Sequence, residues 1–160
     1  MARRKRSSFK RDIGVDHRFG SERVQKLINI VMWRGKKNVA RDIVYEALDV
    51  LVKKADGDNK KGLVLFNQAF ENIVPRIEVR SRRVGGSVYQ IPVEVRGKRG
   101  DSLAMRWLLS TAATRSDKTM GQRLAKELLE AVDGRGNAIK KKNDVHKMAE
   151  ANRAFAHYAW

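Results

Sequence analysis

The chain has 160 residues, 35 Lys and Arg against 18 Asp and Glu, a formal charge of +17 and no Cys. The length suits one domain, or a domain with an arm, and 42% apolar content builds a core and excludes a wholly disordered polycation. The lack of Cys excludes a disulfide framework, a Cys zinc site and a thiol nucleophile; no apolar run is long enough to cross a bilayer, and no secretory signal is expected after so basic a start.

So large a charge on a small globule repels itself, and a polyanion relieves it. Nucleic acid is the first expectation and an anionic membrane surface the second. The cations are clustered, as a binding surface requires. Residues 1–11 carry Arg3, Arg4, Lys5, Arg6, Lys10 and Arg11 with no acid. Arg80, Arg82 and Arg83 fall in one segment, and Lys140, Lys141 and Lys142 are consecutive.

Residues 1–20 show no helical period and read as an extended basic arm that orders on an anion. Residues 21–160 read as one helical domain. Ser21 is a good N-cap for a first helix, in which Val24, Leu27, Ile28, Val31 and Met32 form one apolar stripe. Gly35 ends it. A second helix over 38–54 has a broad apolar face and is expected at the centre. A polar turn over 56–62 leads to a third helix over 63–74, with Phe66, Phe70, Ile73 and Val74 inward and Pro75 as its stop.

The pattern then changes to period two, which predicts a β-hairpin over 76–96. A two-residue Gly85-Gly86 turn would split the apolar residues between faces. A three-residue loop over 85–87 pairs Ile77 with Val95, Val79 with Val93 and Ser81 with Ile91, all on one face, and is the expected register. Arg80 and Arg82 then share a face, and Tyr89 lies with Arg83 on the other, where it either packs or stacks on a base. The hairpin is expected to protrude. A basic linker over 97–100 precedes a fourth helix capped by Asp101 or Ser102. Ser116 or Asp117 caps a fifth, in which Met120, Leu124, Leu128 and Val132 are apolar. After a loop over 133–137, a last helix runs over 143–157. There is no internal repeat. The fold class is therefore mainly α, five to six helices with one inserted hairpin and a basic arm; the arm, the hairpin and the basic helix ends are the expected working surface.

Catalysis finds little support. His17, His146 and His157 lack metal-ligand spacing, so no metal is expected, and there is no phosphate loop, nucleophile elbow or clustered acid and base. No cofactor is implied. A helix-turn-helix DNA regulator and an RNA-modifying enzyme are the rival readings; the first leaves ribbon and arm without a job, and the second lacks its catalytic groups. Trp33 and Trp107 are expected as core anchors, and Trp160 either folds back or meets a partner. Lys140–Lys142 at a helix start would oppose the helix dipole, which an external anion would explain.

Several strings closely resemble the bacterial small-subunit ribosomal protein S-seven family: Arg34-Gly35-Lys36-Lys37; Glu78-Val79-Arg80-Ser81-Arg82-Arg83-Val84-Gly85-Gly86; Tyr89-Gln90-Ile91-Pro92-Val93-Glu94-Val95; Arg106-Trp107-Leu108; Lys118-Thr119-Met120; and residues 148–158. They stand in the family's order from about residue 21 onward. The resemblance implies a helical body with a β-ribbon. It implies a cytoplasmic structural protein of the small ribosomal subunit that binds the 3′ (head) domain of the rRNA and nucleates head assembly. It also implies a place beside the exit-site tRNA and the mRNA path, a neighbour of the S-eleven family and, in some members, repression of their own operon's translation. Carried over by position, the rRNA candidates are Arg3, Arg4, Lys5, Arg6, Lys10, Arg11, Lys36, Lys37, Arg76, Arg115, Lys118 and Lys142. The tRNA and mRNA side candidates are Arg80, Arg82, Arg83, Asn152 and Arg153.

Overall fold

Three helices begin where the side chain of the capping residue accepts a free backbone N–H. Ser21 accepts from Val24 N, Asp58 from Lys60 N and Thr119 from Gln122 N. The computed structural model describes residues 12–158. Its elements run α1 (Glu22–Val31), α2 (Lys37–Lys54), α3 (Asn59–Ile73), β1 (Ile77–Val84), β2 (Ser87–Glu94), α4 (Gly97–Ala113), α5 (Met120–Val132) and α6 (Asn137–Ala151), and a 3-10 helix, Arg153–Tyr158, closes them. The architecture is mainly α with an inserted antiparallel hairpin, as the sequence predicts.

The apolar stripes meet in one core. α2 packs against α1, α3 and α5, the central place its broad face predicts, and α5 packs in turn against α3 and α4. Leu27, Ile28, Leu48, Leu51, Phe66, Phe70, Ile73, Met105, Leu108, Leu124 and Leu128 are fully buried. Each such side chain contributes about 1.5–3 kcal/mol by leaving water. Alanines at 40, 47, 104, 112, 125 and 131 are buried between them and let the helices approach closely.

Several expected boundaries move. α3 starts at Asn59, four residues before the predicted 63, because Asp58 supplies its cap. Gly62 therefore lies inside the helix and not in a turn; a Cβ there would stand 2.6 Å from Val52 Cγ2, so the glycine is a contact point between α2 and α3. Residues 97–100 form the first turn of α4 and not a linker, and neither Asp101 nor Ser102 caps it; Gly100 packs under Val74, and Arg99 is held by Glu78. Thr119, not Ser116 or Asp117, caps α5, while Asp117 pairs with Lys126. α6 begins at Asn137, six residues before the predicted 143, and the chain tightens to 3-10 after Ala151. Lys140, Lys141 and Lys142 thus follow the first turn, and the dipole argument for an anion at a helix start lapses.

The hairpin register also differs. Ile77 pairs with Glu94, Val79 with Pro92, Arg82 with Tyr89 and Val84 with Ser87, across the two-residue Gly85-Gly86 turn. Both glycines have positive φ, +56° and +89°, the geometry that matches strand twist in a two-residue hairpin. Turn geometry wins over apolar alignment because the inner face is not purely apolar. It carries Ile91 and Val93 but also Glu78, 7% exposed and neutralised by Arg80 and Arg99. Tyr89 accordingly shares its face with Arg80 and Arg82, not with Arg83. The ribbon does not stand alone: β1 lies against α6, and β2 against the 3-10 helix.

Of the stretch expected as an arm, residues 16–20 dock on α2. Asp16, 2% exposed, accepts from Arg18 N, Phe19 N and, at 2.7 Å, the Tyr45 hydroxyl. Burial, aided by that bond, pushes the Tyr45 phenol up. Phe19 meets Tyr45 edge to face, and Arg18 lies over both rings and pairs with Asp49.

Candidate nucleic-acid interface

The ribbon and the C-terminal turn form one surface. Strand alternation places Arg80 and Arg82 on one face and exposed Arg83 on the other. Arg82 donates to the carbonyl of Tyr158, and Tyr89 packs against Phe155 and Tyr158 at ring separations of 5.1 and 5.5 Å. Tyr89 is thus a rivet between ribbon and 3-10 helix rather than an exposed stacking platform. Asn152 caps α6 and donates to Met148 O at 2.8 Å, and exposed Arg153 begins the 3-10 helix. The structure therefore brings Arg80, Arg82, Arg83, Asn152 and Arg153 onto neighbouring elements, although the two groups lie far apart in the chain.

A groove of 690 Å³ lies between the ribbon base and α6. Arg76, Arg153 and His146 line it, with Glu94 and Glu150. Arg76 N donates to His146 Nε2 at 3.3 Å. Burial holds the His146 imidazole below its ordinary range, and Lys142 and Arg76 push it further down. Lys142 donates to Asn72 O at 2.7 Å, satisfying a carbonyl in the last turn of α3, and burial and Arg76 lower its ammonium too. Arg76 and Lys142 have no carboxylate partner among the described residues.

A second open surface is the turn between α1 and α2. Arg34 and Gly35 both have positive φ, and Lys36 N closes the turn on Trp33 O at 3.0 Å. Lys36 and Lys37 open α2 and are exposed, as is Trp33, at 74%. Trp33 is therefore not a core anchor: the stripe of α1 ends one residue before it, and the turn swings its ring away from the core. Trp107 is half-buried.

Arg115 is turned to a different use. Its side chain, 14% exposed, pairs with Glu127 at 2.6 Å and with Glu130. Glu127 is fully buried, and its other oxygen accepts from Ala138 N at 2.7 Å, capping α6 across the loop. The carboxylates push the Arg115 guanidinium up, and its hydrogen bond holds the Glu130 carboxyl down. Arg115 thus ties the turn between α4 and α5 to α5, while Glu127 ties α5 to α6, and the guanidinium is engaged inside the fold. Lys118 is exposed in the turn before α5. Arg3, Arg4, Lys5, Arg6, Lys10, Arg11 and Trp160 lie outside the described residues.

Sequence reading missed Glu127, Glu78 and Asp16 as organising acids. For Glu127 a signal existed: it sits three residues after Leu124 and four before Ala131, on the inward stripe of α5. A carboxylate there needs a buried partner. Among the described residues no His, Cys, Asp or Glu cluster could hold a metal ion, and no helix is long and apolar enough to cross a membrane.

A cationic helical body with a basic ribbon belongs to the class of polyanion-binding structural proteins, and similarity makes the class particular. Residues 3–153 match the model of the family described as ribosomal protein S7p/S5e. The chain is 54% identical to the small ribosomal subunit protein uS7 of Rhodopseudomonas palustris over 98% of its own length and 99% of the relative's. It is also 54% identical to the protein of that name from Bartonella quintana, over the whole of both chains, and 54% identical to that of Idiomarina loihiensis, over 98% and 99%. The chain belongs to the ribosomal protein S7p/S5e family. It is a small-subunit ribosomal protein, structural rather than enzymatic.

Proposed function

We propose that this protein binds the 3′ domain of small-subunit rRNA, which forms the head, and nucleates the folding of that domain. The ribbon and C-terminal turn then border the exit-site tRNA and the mRNA path, beside a neighbour of the S-eleven family. Family membership across nearly the whole chain carries this reading. The cation distribution supports it: Lys36, Lys37, Arg76 and Lys142 lack carboxylate partners among the described residues, whereas Arg115 is closed on two acids. Duplex RNA hides its base edges in a narrow major groove, so recognition runs mainly through phosphates and shape. Arg contributes a planar fork for phosphate oxygens and Lys a point charge.

A competition assay tests the proposal. A folded transcript of the 3′ domain should displace duplex DNA of equal length from the protein at moderate salt. Equal affinity for the two would favour a DNA regulator and contradict the proposal. Removing Arg80, Arg82 and Arg83 together should weaken tRNA contact while circular dichroism retains the helical signal.

A further inference from the structure

Trp33 is the single Phe, Tyr or Trp side chain among the described residues that stands exposed. The other surface aromatics are half-buried: Tyr89 packs on Phe155 and on Tyr158, Phe19 packs on Tyr45, and Trp107 is partly covered on α4. An indole left in water gives up one of the largest apolar burials a side chain can make. Nothing among the described residues recovers it, since α1 ends at Val31 and the Trp33 ring does not return to the core.

Its surroundings state the chemistry of the partner. Residues 32–41 contain Arg34, Lys36, Lys37 and Arg41 and no acid. Arg34, Lys36 and Lys37 are exposed and have no carboxylate partner among the described residues. An exposed flat apolar ring in a turn otherwise made of exposed cations is complementary to a ligand that is anionic along its backbone and aromatic at its side groups. A protein helix or an apolar peptide answers only half of that description; a nucleotide with its base unstacked answers both halves.

We propose that Trp33 is a stacking platform for one unpaired base of the bound RNA, with Arg34, Lys36 and Lys37 holding the flanking phosphates. The inference rests on the RNA-binding reading and adds to it a base contact, of a kind that phosphate recognition does not need. Stacking tolerates any base, because each presents a π-face, so the site reads single-strandedness rather than sequence.

The test compares wild-type protein with Trp33→Ala and Trp33→Phe on a folded small-subunit 3′-domain transcript. Trp33→Ala should weaken binding between about fivefold and about a hundredfold, and Trp33→Phe, which keeps a π-face, by less than about threefold. The wild-type fluorescence accessible to iodide should fall on RNA binding, and the part that disappears should be the part missing from Trp33→Phe. Matching circular dichroism spectra keep the comparison about the interface. Unchanged affinity of Trp33→Ala, or a Trp33 emission as open to iodide in the complex as in free protein, overturns the proposal. So does a variant that binds the transcript normally but is lost from assembled subunits, which assigns the ring to a protein neighbour. Failure of wild-type protein to bind the transcript overturns both this proposal and the RNA-binding reading; any other failure leaves that reading standing.

Discussion

At the junction of α5 and α6 the charges are closed on one another; in the turn between α1 and α2 they are open. Arg115 and Lys36 carry the same charge, yet Arg115 is held by Glu127 and Glu130 with its side chain 14% exposed, and Lys36 faces solvent. The difference lies in what each charge leaves behind when removed. Loss of Arg115 or Glu127 strands the other out of water. Loss of an open lysine strands nothing and changes only what the surface attracts. Charge count alone does not separate these roles, and burial with partner identity does.

That contrast can be broken most forcefully at Glu127. Glu127→Ala leaves Arg115 short of a buried partner and Ala138 N without its acceptor, and should destabilise the fold by about 3–5 kcal/mol in urea unfolding. Folded variant protein should keep its RNA affinity. Next comes Gly62→Ala: the added methyl meets Val52, and overpacking costs about 1–3 kcal/mol, offsetting a helix-propensity gain of about 1 kcal/mol. In the open region the pattern inverts. Lys36→Ala with Lys37→Ala should leave stability within about 0.5 kcal/mol. It should also make the log–log salt slope of RNA binding shallower by about 0.7–0.9 for each phosphate that is no longer neutralised.

The smallest effects are those of pH. His146 has its proton affinity lowered by burial, Lys142 and Arg76. The unfolded chain therefore takes up its proton first, and stability present above pH 6.5 is lost as pH falls through the lower folded value. His146→Gln, which keeps an acceptor for Arg76 N, should remove that step from the melting profile. Glu130, lowered by Arg115, gives a further loss below pH 4.5, and Glu130→Gln should shrink it.

Much of this architecture is legible in the sequence, and the reasons differ by element. Apolar stripes on α1 and α5 and the period-two run of the ribbon follow from local repeat, so their existence and order can be read. The starts of α4 and α6 cannot, because they depend on partners outside the helix: Glu127 caps α6 from ten residues before its first residue, and Glu78 holds Arg99 in the first turn of α4. The hairpin register fails where apolar alignment is weighed above the two positive-φ glycines. Among the candidate cations, clustering is visible, but Arg115 looks like any surface arginine until its acids are seen beside it. Trp33 is the reverse case: its residue type suggests a core position, and the turn after α1 places it outside.

If the open cations hold rRNA through its phosphates, as proposed, binding must weaken steeply as salt rises. Affinity of the wild-type chain for the folded 3′-domain transcript, measured across monovalent salt, should give a log–log slope on the order of −6 to −7, as roughly eight phosphate contacts require. A slope near zero would mean that these charges take no part in binding and would contradict the account.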